Sequence, residues 1–292
     1  MVDASRLGLR DRARMIRSAV RPSSAADPDR VQELQAELRR TKQVLRRTRK
    51  DLKAANKRLR EARSYIREGA VELPPQVHAV IEQARKEHLT YLREPNLCDL
   101  AALVRGLDAN GVPGLVIEAG TARGGSAIVM AAAKDPARPM KVYDVFGMIP
   151  PPTDRDGEDV HARYDKITRG EATGVGGDRY YGYRDDLYEE VLASFERLGV
   201  PAAENQVELV KGLFEDTIDL DEPVAFAHLD GDWYESTMTC LQRIAPLVSP
   251  GGRIVLDDYY AWSGCRTAVD EYFADNDDFR LEFRAKVHAV RV

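Results

Sequence analysis

The chain is poor in cysteine, with three in 292 residues, Cys98, Cys240 and Cys265, and no Cys-x-x-Cys spacing. An odd, scattered set excludes a disulfide framework and a cysteine-based zinc site. No apolar run approaches the ~20 residues needed to span a bilayer. The opening Met1-Val2-Asp3-Ala4-Ser5-Arg6 lacks the apolar core of a secretory signal. A reducing cytoplasm is the expected compartment. Among the histidines, only His228 stands in a His-x-Asp pair, with Asp230. The two-histidine, one-carboxylate set of an iron oxygenase therefore has little to draw on.

What is present is globular in composition, 43% hydrophobic and 31% charged, and long enough for one large α/β domain with an appendage. The net charge of -5 conceals an asymmetry. Residues 1–68 carry 20 Lys/Arg against 9 Asp/Glu, and the rest carries 23 against 39, so a basic arm joins an acidic body. In the arm one heptad position reads Val31, Leu38, Leu45, Leu52, Leu59, Ile66. The position three residues later reads Leu34, Thr41, Thr48, Ala55, Ala62. Apolar residues repeating every seven predict a coiled coil. The weaker second seam predicts a modest zipper between copies of the chain, a homo-oligomer assisted by the body.

The expected boundaries are a poorly ordered segment over 1–30 with a linker at Pro22–Pro28, the basic coiled coil over 31–68, and the body over 69–292. Gly69 and Pro74-Pro75 end the coiled-coil helix. The arm's charge reads as a solvated helix face, as a surface docking on the acidic body, or as a peripheral contact with an anionic membrane. Nucleic acid is disfavoured, because a zipper transcription factor places its basic region ahead of the zipper, and here the two share one segment.

In the body, Val116-Ile117-Glu118-Ala119-Gly120-Thr121-Ala122-Arg123-Gly124-Gly125-Ser126 reads as strand, glycine turn and helix start. This is how α/β folds hold a nucleotide-like cofactor at a strand's carboxyl end. Gly120 permits the sharp turn, and Gly124 and Gly125 read as leaving room for a ligand. The Glu-x-Gly-x-x-x-Gly spacing departs from the dinucleotide Gly-x-Gly-x-x-Gly and favours S-adenosylmethionine. Residues 77–111 read as helical, followed by strands at Leu115–Ala119, Lys141–Val145, Val207–Lys211, Val224–Leu229 and Arg253–Leu256. Phe279–Phe283 and Val287–Val292 read as a closing antiparallel pair, and Pro250-Gly251-Gly252 as a tight turn into the fifth strand.

Asp144 ends the second strand, where a carboxylate either accepts hydrogen bonds from a ribose diol or simply makes a turn. Gly212 and Phe214 follow the third strand, the glycine allowing close backbone approach and the ring a place to stack near an adenine. Asp230, Asp257 and Asp258 are expected to converge at the ends of neighbouring parallel strands. Three carboxylates do not stay ionised together without a cation, and oxygen ligands suit Mg²⁺. His228 reads as a packed strand histidine. Trp233, Tyr234, Tyr259, Tyr260 and Trp262 read either as stacking surfaces for a sugar or as core walls.

With these residues in place, roughly Leu89 to Val292 resembles the macrocin O-methyltransferase family. The resemblance rests on Glu118-x-Gly120-x-x-Arg123-Gly124-Gly125, Asp144-Val145-Phe146-Gly147 with Pro150-Pro151-Pro152, and Lys211-Gly212-x-Phe214-x-Asp216-Thr217. It rests most firmly on Leu229-Asp230-Gly231-Asp232-x-Tyr234-x-Ser236, Asp257-Asp258-Tyr259 and Gly264-Cys265-Arg266-x-Ala268-Val269-Asp270. It implies a Rossmann-like class I methyltransferase sheet, α/β with helices on both faces, here preceded by the helical coiled coil.

The resemblance further implies an S-adenosylmethionine-dependent, Mg²⁺-assisted O-methyltransferase acting on a sugar hydroxyl, with a vicinal diol or catechol as the chelating acceptor. Metal ligation falls to Asp230, Asp257 and Asp258, general-base chemistry to Asp232 with Asp230, and cofactor binding to Glu118, Gly120, Thr121, Gly124, Asp144, Phe146, Gly212 and Phe214. A mobile lid is implied at about 150–183, a polar, glycine-rich stretch without periodicity. Thr121-Ala122 stands where the family often has Val-Trp, and Val145 where it has serine. The basic arm has no counterpart in the family pattern. A metal-dependent hydroxylase of related fold and a non-catalytic oligomerising scaffold are the alternatives.

Overall fold

The computed structural model describes residues 72–292 and, within the arm, residues 38–42, 45–46, 48–49 and 52. The expectations for 1–30, and for most of 31–68, lie outside the described residues. The chain divides into two compact units, Met1–Asn56 and Lys57–Val292. In the first, the described residues are helical, and Leu38, Leu45 and Leu52 of the predicted seam are exposed.

The second unit begins with two helices, α1 (Pro75–Lys86) and α2 (Glu94–Ala109), each with a proline in its first turn. Proline suits that position because its missing N–H would go unbonded there anyway. Val77, Val80, Ile81 and Ala84 give α1 one buried face at helical spacing. The single helical stretch expected over 77–111 is thus two helices. His88 takes a left-handed φ of 55°, and the chain turns so that the Leu89 carbonyl accepts the Gly125 N–H at 3.0 Å.

The sheet comprises β1 (Leu115–Ala119), β2 (Met140–Asp144), β3 (Val207–Lys211), β4 (Val224–Leu229), β5 (Val248–Leu256), β6 (Phe279–Phe283) and β7 (Val287–Arg291). Its order is β3-β2-β1-β4-β5-β7-β6, and β7 runs antiparallel to both neighbours. Pro250-Gly251-Gly252 proves not to precede the fifth strand. It lies inside β5, where the register against β4 slips between Val224 and Phe226. The interposed residues form a bulge, which Gly251 permits at a φ of 78°.

Alternation along the strands sorts the two faces. Val116, Val142, Phe226 and Val255 pack with α1, α2, α3 (Gly125–Ala133) and α5 (Leu187–Arg197). Ile117, Tyr143, Ala227 and Ile254 pack with α7 (Tyr234–Ile244) and α8 (Ser263–Tyr272). Two further helices, α4 (Glu158–Thr168) and the short α6 (Phe214–Thr217), follow β2 and β3 respectively. Among the described residues, no helix is long and apolar enough to cross a membrane.

Candidate active site

Register sets the site. Ala119 lies beside Tyr143 and Leu229, Asp144 beside Lys211, Leu229 beside Leu256, and Leu256 beside Val287. With the Asp144–Lys211 pair and one residue beyond the others, the edge reads Lys211, Asp144, Gly120, Asp230, Asp257, Lys286 from β3 to β7. The ladder continues through it, with Asp230 N donating to Ala119 O at 2.8 Å and Asp257 N to Leu229 O at 2.9 Å. A cavity of about 290 Å³ opens on this edge. Ligands sit outside the carboxyl ends of strands in open α/β sheets.

On the β1–β3 side, the cavity is lined by Gly120, Ala122, Asp144 and Phe214. Gly120 has a φ of 89°, and a Cβ there would overlap the Asp230 carbonyl, so the close approach of β4 demands glycine. Gly124 and Gly125 make room for protein rather than ligand, since a Cβ on either would come within 2.7 Å of Val191 or of the Leu89 carbonyl. Asp144 accepts the N–H groups of Thr121 (2.8 Å) and Ala122 (3.0 Å) on one oxygen and that of Phe146 (2.7 Å) on the other. Burial raises its carboxyl pKa, and these three bonds only partly oppose it. Asp144 therefore fixes the glycine turn while also facing the cavity.

Glu118, Thr121, Gly124, Phe146 and Gly212 do not line the cavity. Glu118 is wholly buried, taking the Thr121 hydroxyl at 2.7 Å and His228 Nδ1 at 3.0 Å. Phe146 packs edge-on against Tyr188, and Gly212 against Thr217.

On the β4–β5 side stand the acids. Asp230, Asp257 and Asp258 each offer a carboxylate oxygen, all within 4.8 Å of one another. Burial, then the neighbouring carboxylates, push Asp230 well above the usual carboxylate range, and Asp258 rises for the same reasons. Asp257 goes the other way. Burial alone would raise it, but the Lys286 ammonium and His228 outweigh burial and hold it low. Asp232 lines the cavity, has a left-handed φ of 58°, and donates its backbone N–H to Asp258 at 3.1 Å. Ala122 and Phe146 are also left-handed, at 49° and 46°. Backbone strain in bulky residues clusters where function over-determines it.

Sequence reasoning missed two members. His228 is packed as expected, but it bridges Glu118 and Asp257, the latter at 3.3 Å. Both its ring nitrogens are taken, which leaves the hydroxylase reading without a histidine ligand here. Lys286 lines the cavity and bonds both the carbonyl (2.9 Å) and the carboxylate of Asp257. The signal was the antiparallel closing pair, because a strand that runs backwards starts at the edge where the others end. His161 is exposed and only meets the Thr153 carbonyl, and His288 is buried in β7. Of the five aromatics, Trp233 and Trp262 line the cavity.

The expected lid contains a helix, α4, whose Val160 and Ile167 lie one heptad apart on its buried face. Two apolar residues in a polar helix give too sparse a period to read. With Ile149, Ala172, Tyr180 and Trp233 they form a small core of their own. Ile149, Arg163, Ile167, Tyr180 and Tyr181 face the cavity.

A parallel sheet with a reversed β7, a glycine turn after β1 and an acid closing β2 has the architecture of class I methyltransferases. The sequence pattern of the macrocin-O-methyltransferase (TylF) family matches residues 23–279, and the chain belongs to that family. The match begins ahead of the arm, which corrects the expectation that the arm has no counterpart in the family pattern. It is an S-adenosylmethionine-dependent O-methyltransferase. It is 35% identical over 205 residues to the 8-demethyl-8-(2,3-dimethoxy-alpha-L-rhamnosyl)-tetracenomycin-C 4'-O-methyltransferase of Streptomyces olivaceus, covering 68% of this chain and 69% of that protein. It is 31% identical over 211 residues to the mycinamicin III 3''-O-methyltransferase of Micromonospora griseorubida, covering 70% and 74%. The solved O-methyltransferase NovP superposes with a TM-score of 0.58 at 28% identity, covering 72% of this chain and 88% of that one.

Proposed function

We propose that the protein methylates a sugar hydroxyl of a glycosylated natural product or glycan, with Mg²⁺ assisting, in the cavity at the sheet's carboxyl edge. The observation that carries this reading is the juxtaposition there of a glycine turn braced by Asp144 and three carboxylates within 4.8 Å of one another. The rhamnosyl group in the name of the Streptomyces olivaceus relative supports a sugar acceptor.

Asp230, Asp257 and Asp258 are the residues that would hold Mg²⁺. They fit it by donor type, being hard oxygens, and by charge, since Asp230 and Asp258 are raised by burial among like charges. When bound, the ion supplies a charge that lowers a hydroxyl's pKa, and the sulfonium of the cofactor supplies an electrophilic methyl. The chain's own groups bind, orient and move the proton. Burial and Asp258 raise Asp232 too, so it would act as the general base for the acceptor's proton in its carboxylate form, which a cation's charge on its neighbours would restore. Lys286 and His228 keep Asp257 ionised. Trp233 and Trp262 offer flat walls to a sugar face. A vicinal diol suits the site because two adjacent hydroxyls can be held at once, which contributes through proximity.

Gly120, Asp144 and Phe214 face the cofactor. Glu118, Thr121, Gly124, Phe146 and Gly212 shape the wall from behind. The exposed heptad leucines of the arm support pairing with a second copy, which light scattering on wild type and on Leu45→Asp/Leu52→Asp reads as a loss of oligomer. The first test is isothermal titration with S-adenosylmethionine, with Mg²⁺ and then with EDTA, followed by a panel of glycosides. Micromolar binding in both conditions and turnover only with Mg²⁺ support the reading. A folded protein that binds no S-adenosylmethionine sinks it.

A further inference from the structure

Helices α7 and α8 start immediately after the two acidic loops, and each has tryptophan at its N-cap, Trp233 and Trp262. Tryptophan has no acceptor, and neither ring caps its own helix. The orphan N–H groups of a helix start still need partners, and the lid supplies them. Asp156, buried, accepts the Tyr234 N–H at 2.9 Å with one oxygen and the Thr153 N–H at 3.0 Å with the other. Asp159 accepts the Ser263 N–H at 3.0 Å and the Ser263 hydroxyl. The packing is made for this. A Cβ at Gly264 would overlap the Asp156 carboxylate, and one at Gly157 would overlap Ser263 Oγ. Trp233 is tied to the lid again through Nε1 to the Pro150 carbonyl at 3.0 Å. The two indoles meet edge to face at 5.6 Å, and Trp262 faces the Asp232 carboxyl.

We propose that Asp156 and Asp159 are positioning residues for the reaction, capping α7 and α8 in trans so that lid closure and the ordering of the two acidic loops are one event. Moving the caps to the lid frees both N-cap positions for aromatic walls. It also means that opening the lid uncaps both helices just after the loops that carry Asp232 and Asp258, while the strand ladder keeps its hold on Asp230 and Asp257. The Asp232 and Asp258 wall of the acceptor half is therefore completed only under a closed lid, whereas the glycine turn, braced by Asp144, is not affected. The inference takes this cavity as the active site.

The test reads the lid without any acceptor. Trp233 and Trp262 are the chain's two tryptophans, so acrylamide quenching of tryptophan fluorescence reports on these two N-caps alone. Loss of one cap is expected to favour the open state about five- to tenfold. In the full chain, Asp156→Ala and Asp159→Ala should each raise the quenching constant at least about twofold, while Asp156→Asn and Asp159→Asn, which keep an acceptor for the helix N–H but lose the second oxygen, should fall between wild type and alanine. Gly157→Ala is the second route, its nearest overlaps being the side-chain atoms Ser263 Oγ and Asp159 Oδ1, and should quench like Asp159→Ala even if that variant fails to fold. Affinity for S-adenosylhomocysteine, titrated alongside, should hold in every variant. Wild-type quenching in the alanine variants or in Gly157→Ala overturns the proposal, as do asparagine variants no better than alanine or cofactor affinity that falls in step with quenching. Failure of the wild type to bind S-adenosylhomocysteine would count against the methyltransferase site and leave the quenching result standing.

Discussion

Replacing His228 with phenylalanine is expected to destabilise the protein by about 3–5 kcal/mol, because it strands a buried carboxylate. The register places His228 beside Glu118, and Nδ1 reaches Glu118 Oε1 at 3.0 Å. Glu118 has no exposed surface, and its other partner is the Thr121 hydroxyl. Phenylalanine fills a similar volume, so packing contributes little and the lost hydrogen bonds dominate. Asp257 fares better, since it keeps Lys286. For a domain of this size each kcal/mol shifts Tm by about 2–4 °C, so a fall of roughly 6–20 °C follows. Urea unfolding in EDTA, followed by circular dichroism, measures it. The Glu118→Gln/His228→Phe pair removes the stranded charge and should recover more than about 1 kcal/mol relative to the sum of the single variants. A single variant within about 1 kcal/mol of wild type, or strict additivity in the cycle, would refute the claim that this carboxylate depends on the histidine.

Gly120→Ala should lower S-adenosylmethionine affinity more than about tenfold by calorimetry, through strain at positive φ and overlap with the Asp230 carbonyl. Gly170→Ala, also at positive φ but in open space, is the control and should leave affinity unchanged. Asp144→Asn keeps one acceptor oxygen for three N–H donors, so the turn loosens, affinity should drop about tenfold and Tm should fall by roughly 2–12 °C. Lys134 is buried at the end of α3, donating to the Asn205 carbonyl at 2.5 Å, and burial lowers its pKa from 10.5 to about 8. Between those values the unfolded chain holds a proton that the folded one has released, so stability relative to Lys134→Met should rise as pH passes from about 8 to about 10.5. A urea midpoint of wild type that falls relative to that of Lys134→Met over that window would contradict the sign.

Strand-end chemistry made much of this legible. The ranges read for β1, β3, β4 and β6 coincide with the structure, because β1 and β4 are largely apolar, β3 and β6 set charged residues between apolar ones, and each is closed by a glycine, an acid or a turn. The acids after β4 and β5 converge for the same reason, since adjacent parallel strands of matched register end level. The break between α1 and α2 was not legible, because apolar residues continue through it. What stops the helix is a left-handed turn at His88, where no glycine marks it, with the Leu89 N–H returning to the Ala84 carbonyl. The lid helix failed for the opposite reason, as its buried face is too thin to show a period.

The remaining omissions share one cause. Lys286, His228 and the lid aspartates carry no motif, and each becomes functional only through a partner far along the chain. Lys286 reaches Asp257 because β7 is inserted antiparallel between β5 and β6. Asp156 and Asp159 reach α7 and α8 because the segment after β2 crosses to the far side of the edge. Motif residues lie at strand ends, where geometry is local and repeats from strand to strand. The groups that neutralise, brace and cap them arrive by topology. The charge balance of such a site is therefore read from sheet order.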